Sequence, residues 1–110
     1  MTGAVSEGAL TGREAALQGG QMIEKVLEIV NEKGLHARAS ARFVEVVERY
    51  EARVEVEKDG MSVAGDSIMG LLMLAASCGS SITVRATGDD AEALVAALEA
   101  LVDSRFGESM

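Results

Sequence analysis

Cysteine is almost absent from the sequence, since Cys78 is the only one among 110 residues. A single thiol cannot form a disulfide within the chain, and no other metal-ligating side chain stands near it at the spacing of a metal site. The sequence therefore predicts a thiol that is buried or incidental, and it excludes redox chemistry as the function.

Basic residues are also few, with 10 lysines and arginines against 18 aspartates and glutamates, and the formal net charge is −8. They form no cluster that could overcome repulsion between an acidic surface and a phosphate backbone, so nucleic-acid binding is not expected. The longest apolar stretches, such as residues 68–76, are about half of the roughly 20 residues that a membrane-spanning helix needs. Residues 1–21 have neither the basic start nor the apolar run of a secretion signal. We therefore expect a cytoplasmic protein that does not insert into membranes.

Histidine occurs once, at position 36. No second histidine and no HxxH, CxxC or GxxxxGK[ST] motif is present, so the sequence offers neither a metal site nor a phosphate-binding loop. Carboxylates are numerous, but those such as Glu55 and Glu57 stand at alternate strand positions and are expected to be solvated charges. No metal and no organic cofactor is expected.

The first 21 residues are rich in glycine, alanine and small polar side chains, and they show no apolar periodicity. Such a segment cannot bury enough apolar surface to offset its loss of conformational entropy. We predict a flexible leader at 1–21 and one folded domain over 22–110, which is long enough for a modest hydrophobic core.

Apolar periodicity predicts a strand and then a helix at the start of this domain. Alternation over 23–30 indicates a half-buried strand, with Ile23, Leu27 and Ile29 on one face. Apolar residues then recur at spacings of four, four and three, which is typical of one helix face, and predict a helix from about residue 37 to residue 50. Its apolar stripe comprises Ala39, Phe43, Val47 and Tyr50.

A hairpin is indicated in the middle of the domain. Residues 53–58 alternate strictly between apolar and polar, and Asp59-Gly60 follows them. This dipeptide is favoured in two-residue turns because both positions need positive φ. The strand at 53–58 is therefore expected to turn directly into a strand at 61–64.

The remaining segments predict a short helix, a strand and a longer helix. Residues 68–74 are too uniformly apolar for an ordinary solvent-facing helix, and a buried strand is the alternative there. Alternation over 82–87 indicates the fourth strand, and acidic residues at 89, 90 and 92 favour a helix start after it. The buried stripe of the last helix comprises Leu94, Val95, Leu98, Leu101 and Val102. The order βαββαβα predicts an α+β open-faced sandwich, with helices packed on one face of a four-stranded antiparallel sheet.

His36 stands just before the predicted first helix. A side chain there faces the unsatisfied backbone N–H groups of the first turn, which attract anions. Arg38, two residues further on, can reach phosphate oxygens with a fork of charged donors. These residues suit a histidine that accepts a phosphoryl group, and they also suit a lone histidine that only caps a helix.

A resemblance to a known family favours the first of these interpretations. The heptapeptide GLHARAS at 34–40 resembles the active-site motif of the HPr phosphocarriers of the bacterial phosphotransferase system, in the form seen in some proteobacterial branches. The segment SIMGLLML at 67–74 resembles the second signature of that family, and the predicted elements are similar to the HPr fold over about residues 22–102. The main departure is Ala39, where most members have proline. Proline would preset φ in the first helical turn, so its absence costs rigidity but removes no reacting group.

The resemblance implies a covalent carrier rather than an enzyme. Enzyme I would phosphorylate His36 on Nδ1, and a IIA-type protein would remove the phosphoryl group. Arg38 would orient and neutralise that group, and the backbone of Ala37 and Arg38 would bind its oxygens. A monomer suits a carrier that diffuses between partners.

The second signature implies a regulatory serine and a docking face. Ser67 aligns with the serine that an HPr kinase/phosphorylase modifies in many members, although Ser67 could instead only cap the helix, with Asp66 as a rival cap. Exposed apolar residues commonly mark an interface. The docking residues implied beside Arg38 are Ala37, Ala41, Ile68, Met69, Leu72 and Met73.

Three functions stay open on these grounds. The leading hypothesis is phosphoryl transfer from phospho-enzyme I to IIA-type proteins that serve sugar transport. The first alternative is a regulatory member of the same family that reports nitrogen or carbon status without sugar transport. The second is a ligand-binding or interaction module in which His36 is incidental.

Overall fold

The computed structural model describes residues 22–109, and within them the strands and helices follow the predicted order βαββαβα. The strands are β1 (Met22–Glu28), β2 (Arg53–Lys58), β3 (Met61–Ala64) and β4 (Ser81–Thr87). The helices are α1 (Ala37–Val47), α2 (Ile68–Met73) and α3 (Ala91–Asp103), and a 3₁₀ turn (Arg105–Gly107) follows α3. The predicted leader at 1–21 and Met110 lie outside the described residues.

The four strands form one antiparallel sheet in the order β1-β4-β2-β3. The hairpin between β2 and β3 is present as predicted, with φ values of 51° at Asp59 and 86° at Gly60. The last strand in the sequence, β4, lies between β1 and β2. Its neighbours are therefore distant in sequence, and this pairing order could not be derived from the local pattern.

The helices cover one face of the sheet because the strands turn their apolar side chains to that side. Alternate residues of β4 are completely buried, namely Ile82, Val84 and Ala86. The helical residues that complete this core and are also completely buried include Ala39, Phe43, Leu71, Leu94 and Leu98. The predicted α+β open-faced sandwich is confirmed.

The opposite face of the sheet carries charged side chains gathered around Arg85. Its Nε donates to Glu24 at 2.8 Å, and its Nη1 lies 2.7 Å from Glu57 and 3.8 Å from Glu55. The hydrogen bond to Glu57, opposed by partial desolvation and supported by Glu24, raises the pKa of Arg85 above its usual value. Glu55 and Glu57 reach solvent as expected, but they are ion-paired across β2 and β4 rather than isolated.

Helix α1 is shorter than predicted, because it ends at Val47 instead of near Tyr50. After Val47 the N–H groups of Arg49 and Tyr50 donate to carbonyls three residues earlier, at 3.1 and 3.3 Å, so the chain tightens and leaves the helix. Cys78 is exposed, so of the two expected settings, buried or incidental, the buried one is wrong. Over residues 22–109 no helix has the combined length and apolar character needed to cross a membrane.

Candidate functional site

A tight turn between β1 and α1 presents His36. The N–H of Gly34 donates to the carbonyl of Asn31 at 3.1 Å, and Gly34 has a φ of 67°, which glycine adopts without steric penalty. The N–H of Leu35 then donates to the carbonyl of Ala76 at 2.8 Å and ties this turn to the segment after α2. A Cβ on Gly34 would stand only 2.5 Å from that same oxygen. Glycine in the GLHARAS motif therefore meets both a backbone requirement and a packing requirement.

His36 is itself the N-cap of α1. Its carbonyl accepts from the N–H of Ser40 at 2.8 Å, and its ring nitrogen Nδ1 accepts from the backbone N–H of Arg38 at 3.3 Å. The ring thus does what the side-chain oxygen of serine or aspartate does at most helix starts. This places the Nδ1 lone pair at the end of the helix where backbone N–H groups attract negative charge.

The other ring nitrogen of His36 faces a carboxylate that the sequence analysis missed. Nε2 lies 2.6 Å from Oε2 of Glu108, and the two side chains are only 29% and 16% exposed. The second carboxylate oxygen, Oε1, accepts from Nδ2 of Asn31 at 3.0 Å. Desolvation raises the pKa of Glu108, but the hydrogen bonds from Asn31 and His36 and the electrostatic attraction to His36 and Lys33 outweigh it. The pKa of Glu108 therefore lies below its usual value.

The chain reverses after α3 to deliver Glu108 to this position. Arg105, Phe106 and Gly107 have φ values of 59°, 56° and 79°, so three successive residues are left-handed. This conformation is uncommon for a bulky residue, and the complete burial of Phe106 offsets its cost. The sequence gives little warning of the arrangement, because Glu108 is 72 positions from His36. An aromatic residue followed by glycine directly after an amphipathic helix was the one available cue.

The structure brings the predicted residues His36, Ala37 and Arg38 together at one open cleft. Arg38 is exposed on the first turn of α1, and its guanidinium makes no ion pair with any residue in the range 22–109. It can therefore turn toward a group attached to Nδ1 without breaking an existing interaction. The residues of the preceding turn and Glu108 line the same cleft.

Ser67 caps the second helix. Its Oγ accepts from the N–H of Gly70 at 3.0 Å, whereas Asp66, the rival cap, is exposed. Segment 68–73 is thus helical, and the alternative of a buried strand is wrong.

The apolar side chains of α2 divide between the core and solvent. Leu71 is completely buried, Leu72 is half-buried, and Ile68, Met69 and Met73 are 40%, 70% and 64% exposed. Helix α2 packs against α1, on which Ala37 is exposed and Ala41 is half-buried. The predicted partial exposure of α2 is confirmed, and the docking role of these residues stays a prediction.

Known proteins match this fold and this segment. Residues 23–104 match the family described as the PTS HPr component phosphorylation site. Phosphocarrier protein HPr of Cupriavidus necator is 40% identical over 87 residues, which cover 79% of this chain and 98% of that protein. A crystal structure of HPr from Thermoanaerobacter tengcongensis has a TM-score of 0.77 and 41% identity, and the match covers 80% of this chain and 99% of that chain. The solution structure of Crh, the Bacillus subtilis catabolite repression HPr, has a TM-score of 0.55 and 39% identity over 73% of this chain and 95% of that one.

These matches define a bacterial phosphocarrier fold, and in this chain His36 opens the first helix of that fold. The chain belongs to the HPr family. It is a phosphocarrier of the phosphotransferase system rather than an enzyme. The resemblance inferred from GLHARAS and SIMGLLML is thereby confirmed.

Proposed function

We propose that His36 accepts a phosphoryl group on Nδ1 from phospho-enzyme I and passes it to IIA-type proteins. The observation that carries this proposal is the capping hydrogen bond from the N–H of Arg38 to Nδ1 at 3.3 Å. It shows the Nδ1 lone pair held at a helix N-terminus, where an attached phosphoryl group would meet backbone donors in place of the ring nitrogen.

The transfer exchanges one bond to phosphorus for another. The Nδ1 lone pair attacks the phosphorus, and the donor leaves with the electron pair of the bond that breaks. The N–H groups of Ala37 and Arg38 then face phosphoryl oxygens, and the Arg38 guanidinium neutralises their charge. Each helix-end interaction contributes roughly 0.3 to 1 kcal/mol, which suits a group that must leave again.

The same partner surface would serve donor and acceptor in turn. Small side chains at Ala37 and Ala41 allow close approach to His36, and the exposed methionines of α2 can adapt to different surfaces. The interface would comprise Ala37, Ala41, Ile68, Met69, Leu72 and Met73. A monomer in the cytoplasm suits this exchange between successive partners.

Ser67 is a second candidate for phosphorylation, by an HPr kinase/phosphorylase. Its hydroxyl lies at the N-terminus of α2 beside the exposed apolar residues of that helix. A phosphate there would add about −1.5 to −2 charge next to the proposed docking residues. Such a change would weaken docking of partners whose contact surface is apolar or acidic.

A regulatory role is the second candidate function. One similar solved structure is a catabolite repression HPr, which favours a carrier whose phosphorylation state reports carbon or nitrogen status. Genome context separates the two candidates, because membrane permease components should accompany a sugar-transport role and be missing beside a regulatory one.

The acceptor role of His36 is tested by incubation with enzyme I and phosphoenolpyruvate. We expect an acid-labile, base-stable phosphate on the wild-type protein and none on His36→Asn. Asparagine is a good N-cap, so this variant retains the helix start while losing the nucleophile. The proposal fails if the wild type takes up no phosphate, or if His36→Asn takes it up equally well. Absence of uptake by the wild type would favour the alternative of a ligand-binding module.

A further inference from the structure

We propose that Glu108, held by Asn31, is a positioning residue that keeps the proton of His36 on Nε2 and the lone pair on Nδ1. This inference rests on the proposed function of His36 and deepens it. The hydrogen bonds on the two sides of the ring both require this tautomer. Nδ1 accepts from the backbone N–H of Arg38 and so carries no proton, while Nε2 faces a carboxylate that can only accept and so carries one.

Asn31 determines which carboxylate oxygen reaches the ring. Its Nδ2 has two protons, and they go to the carbonyl of Gly34 at 2.8 Å and to Oε1 of Glu108 at 3.0 Å. Asn31 is completely buried, and its Oδ1 has no partner among the described residues. Rotation of the amide would place Oδ1 against two acceptor oxygens, so its orientation is fixed despite the unpaired oxygen. Oε1 is thereby committed to Asn31, and Oε2 is left for His36.

This arrangement prepares the ring for the transfer step. Only a nitrogen without a proton can attack phosphorus, and the tautomer exposes Nδ1 in that form. As the bond between Nδ1 and phosphorus forms and the donor leaves with its electron pair, the ring becomes positive and retains its proton on Nε2. The Glu108 carboxylate, 2.6 Å away, stabilises this positive ring, and no proton has to move. Transfer to the next acceptor reverses the same changes.

A purely structural role for Glu108 makes a different prediction. If Glu108 only anchored the segment after α3, its loss would loosen that segment without selecting between the two ring nitrogens. The tautomer of the unphosphorylated protein, read from ¹⁵N chemical shifts of His36, therefore separates the two roles. This measurement needs no transfer partner, so it can succeed or fail independently of the proposed function.

The decisive variant is Glu108→Gln, which retains the shape and offers one oxygen and one NH₂ group. Nδ2 of Asn31, whose orientation is fixed, donates to the glutamine oxygen. The new NH₂ group therefore faces Nε2 of His36 as a donor. At a pH where the ring is neutral we expect the wild type to hold its proton on Nε2. In the variant the proton should shift to Nδ1, because the new hydrogen bond to Nε2 replaces the long one of 3.3 Å that Nδ1 accepts from the N–H of Arg38. The initial rate of phosphorylation by phospho-enzyme I should fall by about tenfold, as expected for loss of a charge-assisted hydrogen bond.

Two further variants complete the design. Glu48→Gln removes one exposed carboxylate at the other end of α1, away from the cleft, and both the tautomer and the rate should be unchanged. In the double variant Asn31→Ala, Glu108→Gln, the glutamine oxygen no longer accepts from Asn31 and can accept from Nε2 of His36. The double variant should therefore restore the wild-type tautomer and part of the rate. The proposal is overturned if Glu108→Gln retains the proton on Nε2, whatever its rate, or if the double variant behaves as Glu108→Gln alone.

Discussion

Substitution of Gly34 by alanine tests why the active-site motif begins with glycine. Two costs are expected in the folded state. The first is the left-handed backbone at φ 67°, which costs a residue with a Cβ about 1 to 2 kcal/mol. The second is the approach of the new Cβ to within 2.5 Å of the Ala76 carbonyl oxygen and 2.9 Å of the Ser77 Cα. Both neighbours are backbone atoms, so the two steric clashes can be relieved only by a shift of the backbone.

That movement strains the contact between two segments of the site. The displaced Ala76 carbonyl accepts the N–H of Leu35 at 2.8 Å, and loss of such a bond costs about 0.5 to 1.5 kcal/mol. Local overpacking adds about 1 to 3 kcal/mol. We therefore expect Gly34→Ala to lower the free energy of unfolding by roughly 2.5 to 6.5 kcal/mol, a large part of the 5 to 15 kcal/mol typical of a domain.

Gly60→Ala is the matched control. Gly60 also has a left-handed φ, 86°, but a Cβ there would meet nothing within 4 Å. Gly60→Ala should lower the free energy of unfolding only by the cost of the left-handed backbone, about 1 to 2 kcal/mol. The reduction in unfolded-state entropy is the same in both variants and cancels. The difference between them therefore isolates the close approach of the turn to segment 76–77.

Urea denaturation followed by circular dichroism measures both losses. If Gly34→Ala and Gly60→Ala lose equal stability, the packing argument is wrong and only backbone conformation matters at Gly34. Under conditions where Gly34→Ala is folded, phosphorylation by enzyme I should also slow, because the turn that presents His36 must shift. A normal rate together with a large loss of stability would show that the exact position of this turn does not affect phosphorylation of His36.

Four further predictions follow from the same structure. Arg38→Ala should slow phosphoryl uptake at least about tenfold in an enzyme I assay while leaving the circular dichroism spectrum unchanged, and an unchanged rate would remove Arg38 from the mechanism. Arg85→Met should lower the free energy of unfolding by about 1 kcal/mol, because Glu24, Glu55 and Glu57 lose the cation that pairs with them. The loss should be smaller in about 1 M salt, which screens these surface ion pairs in the wild type. Ser67→Ala should lose about 1 kcal/mol of stability in thermal unfolding through the lost cap, and should take up no phosphate from ATP with HPr kinase/phosphorylase. Because folding lowers the pKa of Glu108, its interaction stabilises the protein above the usual value of 4.5 and is lost as the pH falls through the lowered pKa. The stability difference between the wild type and Glu108→Ala should therefore shrink below pH 4.5, and a difference that persists in strong acid would contradict this.

Much of the fold and part of the site could be predicted because they depend on residues close together in sequence. Side-chain alternation and helical spacing reveal which face of a segment is apolar, and the pattern in β4 predicted its buried side correctly. Asp59 and Gly60 predicted the hairpin because turn conformation depends on those two residues. The position of His36 just before α1, with Arg38 two residues later, was equally local.

The end of α1 shows a limit even for local patterns. The apolar residue Tyr50 continues the helical stripe and is half-buried, yet the helix has already ended at Val47. Burial requires only that a side chain reach the core, and a tightened turn satisfies this as well as a helix does. Element boundaries are therefore less well determined by apolar spacing than the elements themselves.

By itself the sequence determined the elements, the hairpin, the family and the histidine that opens α1, because each depends on neighbours along the chain. Only the tertiary structure decided that β4 enters between β1 and β2, and that Gly34 approaches the backbone of Ala76. It also decided that Asn31 and Glu108 stand behind the His36 ring. These contacts join residues up to 77 positions apart, and they form only when the packed core brings the segment after α3 back to the start of α1.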